Sequence, residues 1–112
     1  MSDQKDIIEF KWPWTMMPLE IADEWIEEIK RGLKKSEPIY KKDIFPSARK
    51  EDENLILLDI DTDSTYAIVN FAPNGQGGLT CSVVEILPNR KALKERLHKD
   101  HIDAISKTKQ YG

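Results

Sequence analysis

The chain has 112 residues, 39% hydrophobic and 33% charged, with 17 lysines and arginines against 20 aspartates and glutamates and a formal net charge of -3. This length suits one domain, residues 1–112, able to bury roughly two thirds of its unfolded surface, and it excludes a pair of large catalytic lobes. The single cysteine, Cys81, excludes an internal disulfide, and no secretory signal core or apolar run near roughly 18 residues is legible, so the expected setting is cytoplasmic and away from the membrane.

Residues 5–12 put Ile8, Phe10 and Trp12 on one side of an extended segment and Glu9 and Lys11 on the other. A period of two is that of a half-buried strand, and Pro13, which lacks a ladder N–H, is expected to end it. From Pro18 to about Lys35, Leu19, Ala22, Trp25, Ile26, Ile29 and Leu33 recur at steps of three and four and predict an amphipathic helix. Its first turns carry Glu20, Asp23, Glu24, Glu27 and Glu28 and its last carry Lys30, Arg31, Lys34 and Lys35, charges that oppose the helix dipole at both ends. Read this way, they need no ligand.

Residues 36–54 carry Pro38 and Pro46 among charged residues, with Ile39, Tyr40, Ile44 and Phe45 as apolar anchors. They predict a long connection, of the kind that is often functional. The aliphatic run Leu55 to Ile60, the β-branched and aromatic run Thr65 to Ala72 and the run Leu79 to Leu87 predict three strands of an antiparallel meander. Asp61, Thr62, Asp63 and Ser64 supply one turn, and Asn74, Gly75, Gly77 and Gly78 the positive φ of the next. Asn89 is the expected N-cap of a last helix whose Ala92, Leu93, Leu97, Ala104 and Ile105 face the sheet. Asp100 and Asp103 resemble a second capping box, which predicts a break near residue 99, and Lys107 to Gly112 are expected to fray. The expected fold class is α+β, an antiparallel sheet of three to four strands with two helices packed on one face.

Several tracts invite a chemical reading. Asp59, Asp61 and Asp63 alternate as calcium ligands do, but counting from Asp59 the sixth residue is Ser64 and the twelfth Asn70, so the glycine and bidentate glutamate of a calcium loop are missing. The same Asp-x-Asp after an apolar run echoes the first motif of haloacid dehalogenase phosphatases, whose larger doubly wound core has no room here. His98 and His101 lie three apart on a predicted helix, where only Asp100 or Asp103 would complete a metal set, and Cys81 sits among strand residues as a small core side chain. No metal, no other cofactor and no catalytic constellation is therefore expected. Arg90, Lys91, Lys94, Arg96 and Lys99 give the last helix a basic face, but the net negative charge argues against phosphate-backbone binding, so no nucleic-acid partner is expected.

Acidity is concentrated in residues 51–63, which hold Glu51, Asp52, Glu53, Asp59, Asp61 and Asp63 with no lysine or arginine. Such a tract attracts basic partners and raises encounter rates. Trp12 and Trp14 flank Pro13, with Phe10 before and Met16 and Met17 after, a composition found either in a core or at an interface hot spot.

In size and acidity, and in the run Asp63, Ser64, Thr65, Tyr66, Ala67, Ile68, Val69 ahead of a final charged helix, residues 39–105 resemble the small immunity proteins of bacterial toxin and immunity pairs. The resemblance implies a monomeric or homodimeric inhibitor that covers the active site of a cationic toxin. No family motif aligns, so no site residue is carried over. The expected contacts are Glu51, Asp52, Glu53, Asp61 and Asp63 on basic toxin residues, with Tyr40 or Trp14 as an exposed aromatic anchor. The alternatives are a structural or regulatory subunit that docks through the Trp-Pro-Trp segment, and a small metal-dependent enzyme built on the acidic loop with His98 or His101.

Overall fold

The computed structural model describes the backbone of residues 8–111 and the side chains of residues 8–107. Strand β1 (Trp14–Met16) is followed by a 3-10 turn (Leu19–Ile21), helix α1 (Ala22–Gly32), strands β2 (Ile44–Lys50), β3 (Leu55–Ile60), β4 (Thr65–Pro73) and β5 (Leu79–Leu87), and helix α2 (Arg90–Tyr111). The strands form one antiparallel sheet in chain order, β1-β2-β3-β4-β5. The fold is α+β, as expected, with five strands rather than three or four.

The helices do not share a face. Ile56, Leu58 and Ile60 of β3, with Ala67, Val69 and Phe71 of β4, pack under Ile29 of α1 and the following Leu33 and Ile39. Leu55 and Leu57 point the other way and, with Trp14, Ala48, Ile68 and Leu87, pack under Leu93 and Leu97 of α2. Apolar residues at both parities of β3 are what a strand covered on both sides requires. The expectation of two helices on one face is corrected accordingly: α1 and α2 cover opposite faces of the sheet. Each fully buried aliphatic side chain on either side contributes about 2 kcal/mol of transfer free energy.

The N-terminal strand was expected over 5–12. Residues 5–7 lie outside the described residues, residues 8–11 are not in a strand, and β1 starts after Pro13. Trp14 then pairs with Lys50 across the ladder, and the Glu51 N–H donates to the Pro13 carbonyl at 2.7 Å. The expected long connection contains β2. Its inward residues are Ile44, Pro46, Ala48 and Lys50, and an irregularity between Pro46 and Ala48 moves the inward side from the α1 face to the α2 face. A proline, an alanine and a lysine at inward positions hide the period of two.

Helix α1 closes tightly on the sheet: a Cβ added to Gly32 would lie 2.5 Å from the Leu79 carbonyl oxygen, so only glycine fits there. The Asn89 side chain caps α2 by accepting from the Ala92 N–H at 2.9 Å. No break occurs near residue 99. Asp100 is buried, its carboxylate accepting from the Trp14 indole N–H at 2.8 Å and from Arg96 Nε at 3.2 Å, so it faces the core instead of capping a new helix. The helix continues to Tyr111, where fraying was expected.

Candidate functional site

The acidic tract expected to form one pad is divided by the fold. Glu51, Asp52 and Glu53 occupy the β2–β3 turn, whereas Asp61 and Asp63 occupy the β3–β4 turn at the other end of β3. A strand of six residues separates the two groups by roughly 20 Å. Lysines also meet most of these carboxylates. Lys50 pairs with Glu53 and, at 3.2 Å, with Asp52, and Lys42 pairs with Asp63. Burial lowers the Lys50 pKa, but hydrogen bonds and charge from Glu53 and Asp52 outweigh it, leaving the ammonium raised above its ordinary value. Asp59 accepts from the Ser47 hydroxyl at 2.6 Å. Only Glu51 and Asp61 of the tract stand without a charged or hydroxyl partner among the described residues.

The expected aromatic anchors are displaced as well. Trp14 is 2% exposed and belongs to the α2-face core, so it cannot serve as a surface anchor. Tyr40 is half-buried against the α1-face core, and its carbonyl accepts from Lys30 Nζ at 3.0 Å. The neighbouring Trp12 is the exposed tryptophan of the segment, at 56%. Its carbonyl oxygen lies 2.8 Å from His101 Nδ1, which accounts for one nitrogen of that ring. His98 is exposed on the same side of α2, and among the described residues no group of three potential metal ligands converges. Cys81 is buried, its thiol pushed up to about 11 by desolvation first and by the Glu28 carboxylate second. Such a thiol is protonated and inert at neutral pH.

The carboxylates that the fold does gather lie elsewhere. Residues 19–32 hold Glu20, Asp23, Glu24, Glu27 and Glu28 against Lys30 and Arg31. At 100° per residue these five acids fall on one stripe opposite Ala22, Trp25, Ile26, Ile29 and Leu33. Packing of the apolar stripe on the sheet therefore forces the acids outward. Glu20, Asp23, Glu24 and Glu27 are exposed and enter no ion pair among the described residues, while Glu28 accepts from Arg31 at 2.9 Å. Leu19, 74% exposed, sits at the start of this stripe.

The opposite layer carries the opposite charge. Between residues 90 and 107, α2 holds Arg90, Lys91, Lys94, Arg96, Lys99 and Lys107 against Glu95, Asp100 and Asp103. The sheet thus stands between an acidic helix and a basic one. Linear counting of charge missed this because it treated the α1 acids only as complements of the helix dipole; their stripe was legible from spacing alone. No family model matches the chain, and no curated protein or solved structure matches it either.

Proposed function

We propose that the protein is a binding protein that holds a cationic protein partner against the outer face of α1, in the manner of an inhibitor that covers a basic active site. The observation that carries this reading is the set of exposed carboxylates that enter no ion pair among the described residues, Asp23, Glu24 and Glu27 on α1 and Glu20 on the 3-10 turn leading into it, above an apolar core. A rigid acidic face of this kind raises association rates with basic partners and rejects acidic ones. The immunity-protein resemblance supports the inhibitor form, with the toxin-binding carboxylates moved from residues 51–63 to α1.

The test is co-purification with the products of the adjacent genes, among which a basic protein is the expected partner. Titration by calorimetry at two salt concentrations is expected to show an affinity that falls as salt rises, and the triple variant Glu20→Gln, Asp23→Asn, Glu27→Gln is expected to weaken it by about tenfold or more. Absence of a complex, or affinity indifferent to salt and to the triple variant, overturns the reading. A second reading is favoured by Trp12 at 56% and Met16 at 67% exposure: a subunit docked through the N-terminal segment. It requires a salt-insensitive complex that is lost on Trp12→Ala.

A further inference from the structure

Beside the acidic stripe, a cavity of about 300 Å³ opens between α1 and the β4–β5 turn, lined by Glu24, Trp25, Glu28, Gly77, Gly78 and Leu79. Its size is at the low end for ligand cavities, suited to one side chain rather than to a cofactor. The helical spacing explains its composition. Glu24, Trp25 and Glu28 fall along the same border of α1, between the acidic stripe and the core, so two carboxylates and an indole reach one space. The opposite wall is Gly77 and Gly78, with Gly77 at φ 85° and nothing within 4 Å of where its Cβ would stand. This wall therefore offers backbone instead of side chains, and leaves the cavity open.

We propose that this cavity receives an arginine side chain of the cationic partner, its guanidinium stacked on the Trp25 indole and its N–H groups donated to the Glu24 and Glu28 carboxylates. The chemistry selects arginine over lysine. A planar guanidinium both stacks on an aromatic face and donates to two carboxylates at once, whereas an ammonium is a compact, strongly hydrated charge. Trp25 is held by an edge contact with Phe71, ring centroids 5.4 Å apart at 70°, and is partly buried against the α1-face core, with its remaining surface on the cavity. Glu28 already accepts a guanidinium in the isolated chain, that of Arg31 at 2.9 Å, through one oxygen and on the surface. Such an exposed pair is weak and exchanges readily for a better-placed donor.

The inference rests on the proposed docking to α1 and deepens it, so its test is made independent of the partner. Nα-acetyl-arginine amide is titrated against the full chain while the Trp25 indole N–H resonance is followed by NMR, with the uncharged isostere Nα-acetyl-citrulline amide as control. The expected result is a saturable Trp25 shift with the arginine compound alone, weakened about tenfold in the Glu24→Gln, Glu28→Gln variant. That variant leaves the core packing untouched. Trp25→Phe, which keeps an aromatic ring against Phe71, is expected to lose most of the affinity. No shift, an equal shift with citrulline, or a shift indifferent to both glutamine substitutions overturns the cavity. If that happens while Glu20→Gln, Asp23→Asn, Glu27→Gln still breaks the partner complex, the docking face stands without an arginine pocket; if arginine binds and the partner complex ignores those three changes, the docking reading falls and the cavity remains.

Discussion

The two sides of the sheet solve the same problem with different chemistry. On the α1 side the buried cluster is apolar, from Ile29 and Ile39 to Ile56, Leu58, Ile60 and Val69, and the helix is positioned by shape, with Gly32 against the Leu79 carbonyl, and by Lys30 at its margin, which donates to the Tyr40 and Lys42 carbonyls. On the α2 side Leu93 and Leu97 share the core with a buried polar chain in which Asp100 accepts from Trp14 and Arg96, and Arg96 also pairs with Glu85. A purely apolar contact is strong but tolerant of sliding; a buried carboxylate with two defined donors sets helix register. The outer faces differ in sign, with five acids around α1 and six cations along α2. The polar contacts of α1 are made by its cations, Lys30 to the Tyr40 and Lys42 carbonyls and Arg31 to Glu28, which leaves Asp23, Glu24 and Glu27 for solvent or a partner.

The largest expected effect breaks the apolar side. Ile29 has no exposed surface, and Ile29→Ala should lower unfolding free energy by about 2–5 kcal/mol in urea denaturation, through lost transfer energy and the cavity left behind. An effect below that of an ordinary surface change would mean that α1 does not anchor the sheet.

The next breaks the polar side. Asp100→Leu leaves the Trp14 indole N–H without its acceptor and Arg96 with Glu85 alone, at a cost of about 1–3 kcal/mol, and should shift Trp14 fluorescence. Asp100→Asn retains an acceptor for Trp14 and should recover part of the loss. Equal losses in the two variants would show that the hydrogen bond is not what positions α2.

Gly32→Ala sharpens the contrast further, because alanine is the better helix former by about 1 kcal/mol and would stabilise an unconstrained helix. Here its Cβ meets a backbone oxygen at 2.5 Å, so a net loss of about 1–3 kcal/mol is expected by thermal melting. A net gain would place α1 farther from β5.

The smallest effect is in pH dependence. The Cys81 thiol ionises at about 11 in the folded protein against an ordinary value of 9.0. Its contribution to stability is whole below pH 9, where both states keep the proton. It declines as pH rises toward 11, because the unfolded chain releases the proton while the native one holds it. The difference in unfolding free energy between the wild type and Cys81→Ala should narrow over that interval, and a difference that does not change with pH would mean that the thiol is hydrated.

Much of the framework was legible because its signals are local. Strand β3, strand β5 and the Asn89 cap follow from aliphatic runs and one capping residue, and α1 follows from a stripe at steps of three and four. Strand β2 was hidden by Pro46 and by Lys50, whose aliphatic stem lies inside while its ammonium reaches Asp52 and Glu53. The expected break near residue 99 had the same origin: an aspartate near a helix start and one buried in mid-helix look alike until the donor from 86 residues away is placed.

By itself the amino-acid order determined the strands with strong apolar runs, the amphipathic helix and the sign of its outer face, since each depends on residues within a few positions of one another. Tertiary structure alone decided that the helices take opposite faces, that Trp14 is core while Trp12 is surface, and that the acids of 51–63 part to the two ends of β3. Those outcomes depend on which distant groups meet, and the six-residue strand β3 carries the acids before it and those after it to opposite ends whatever charge they share.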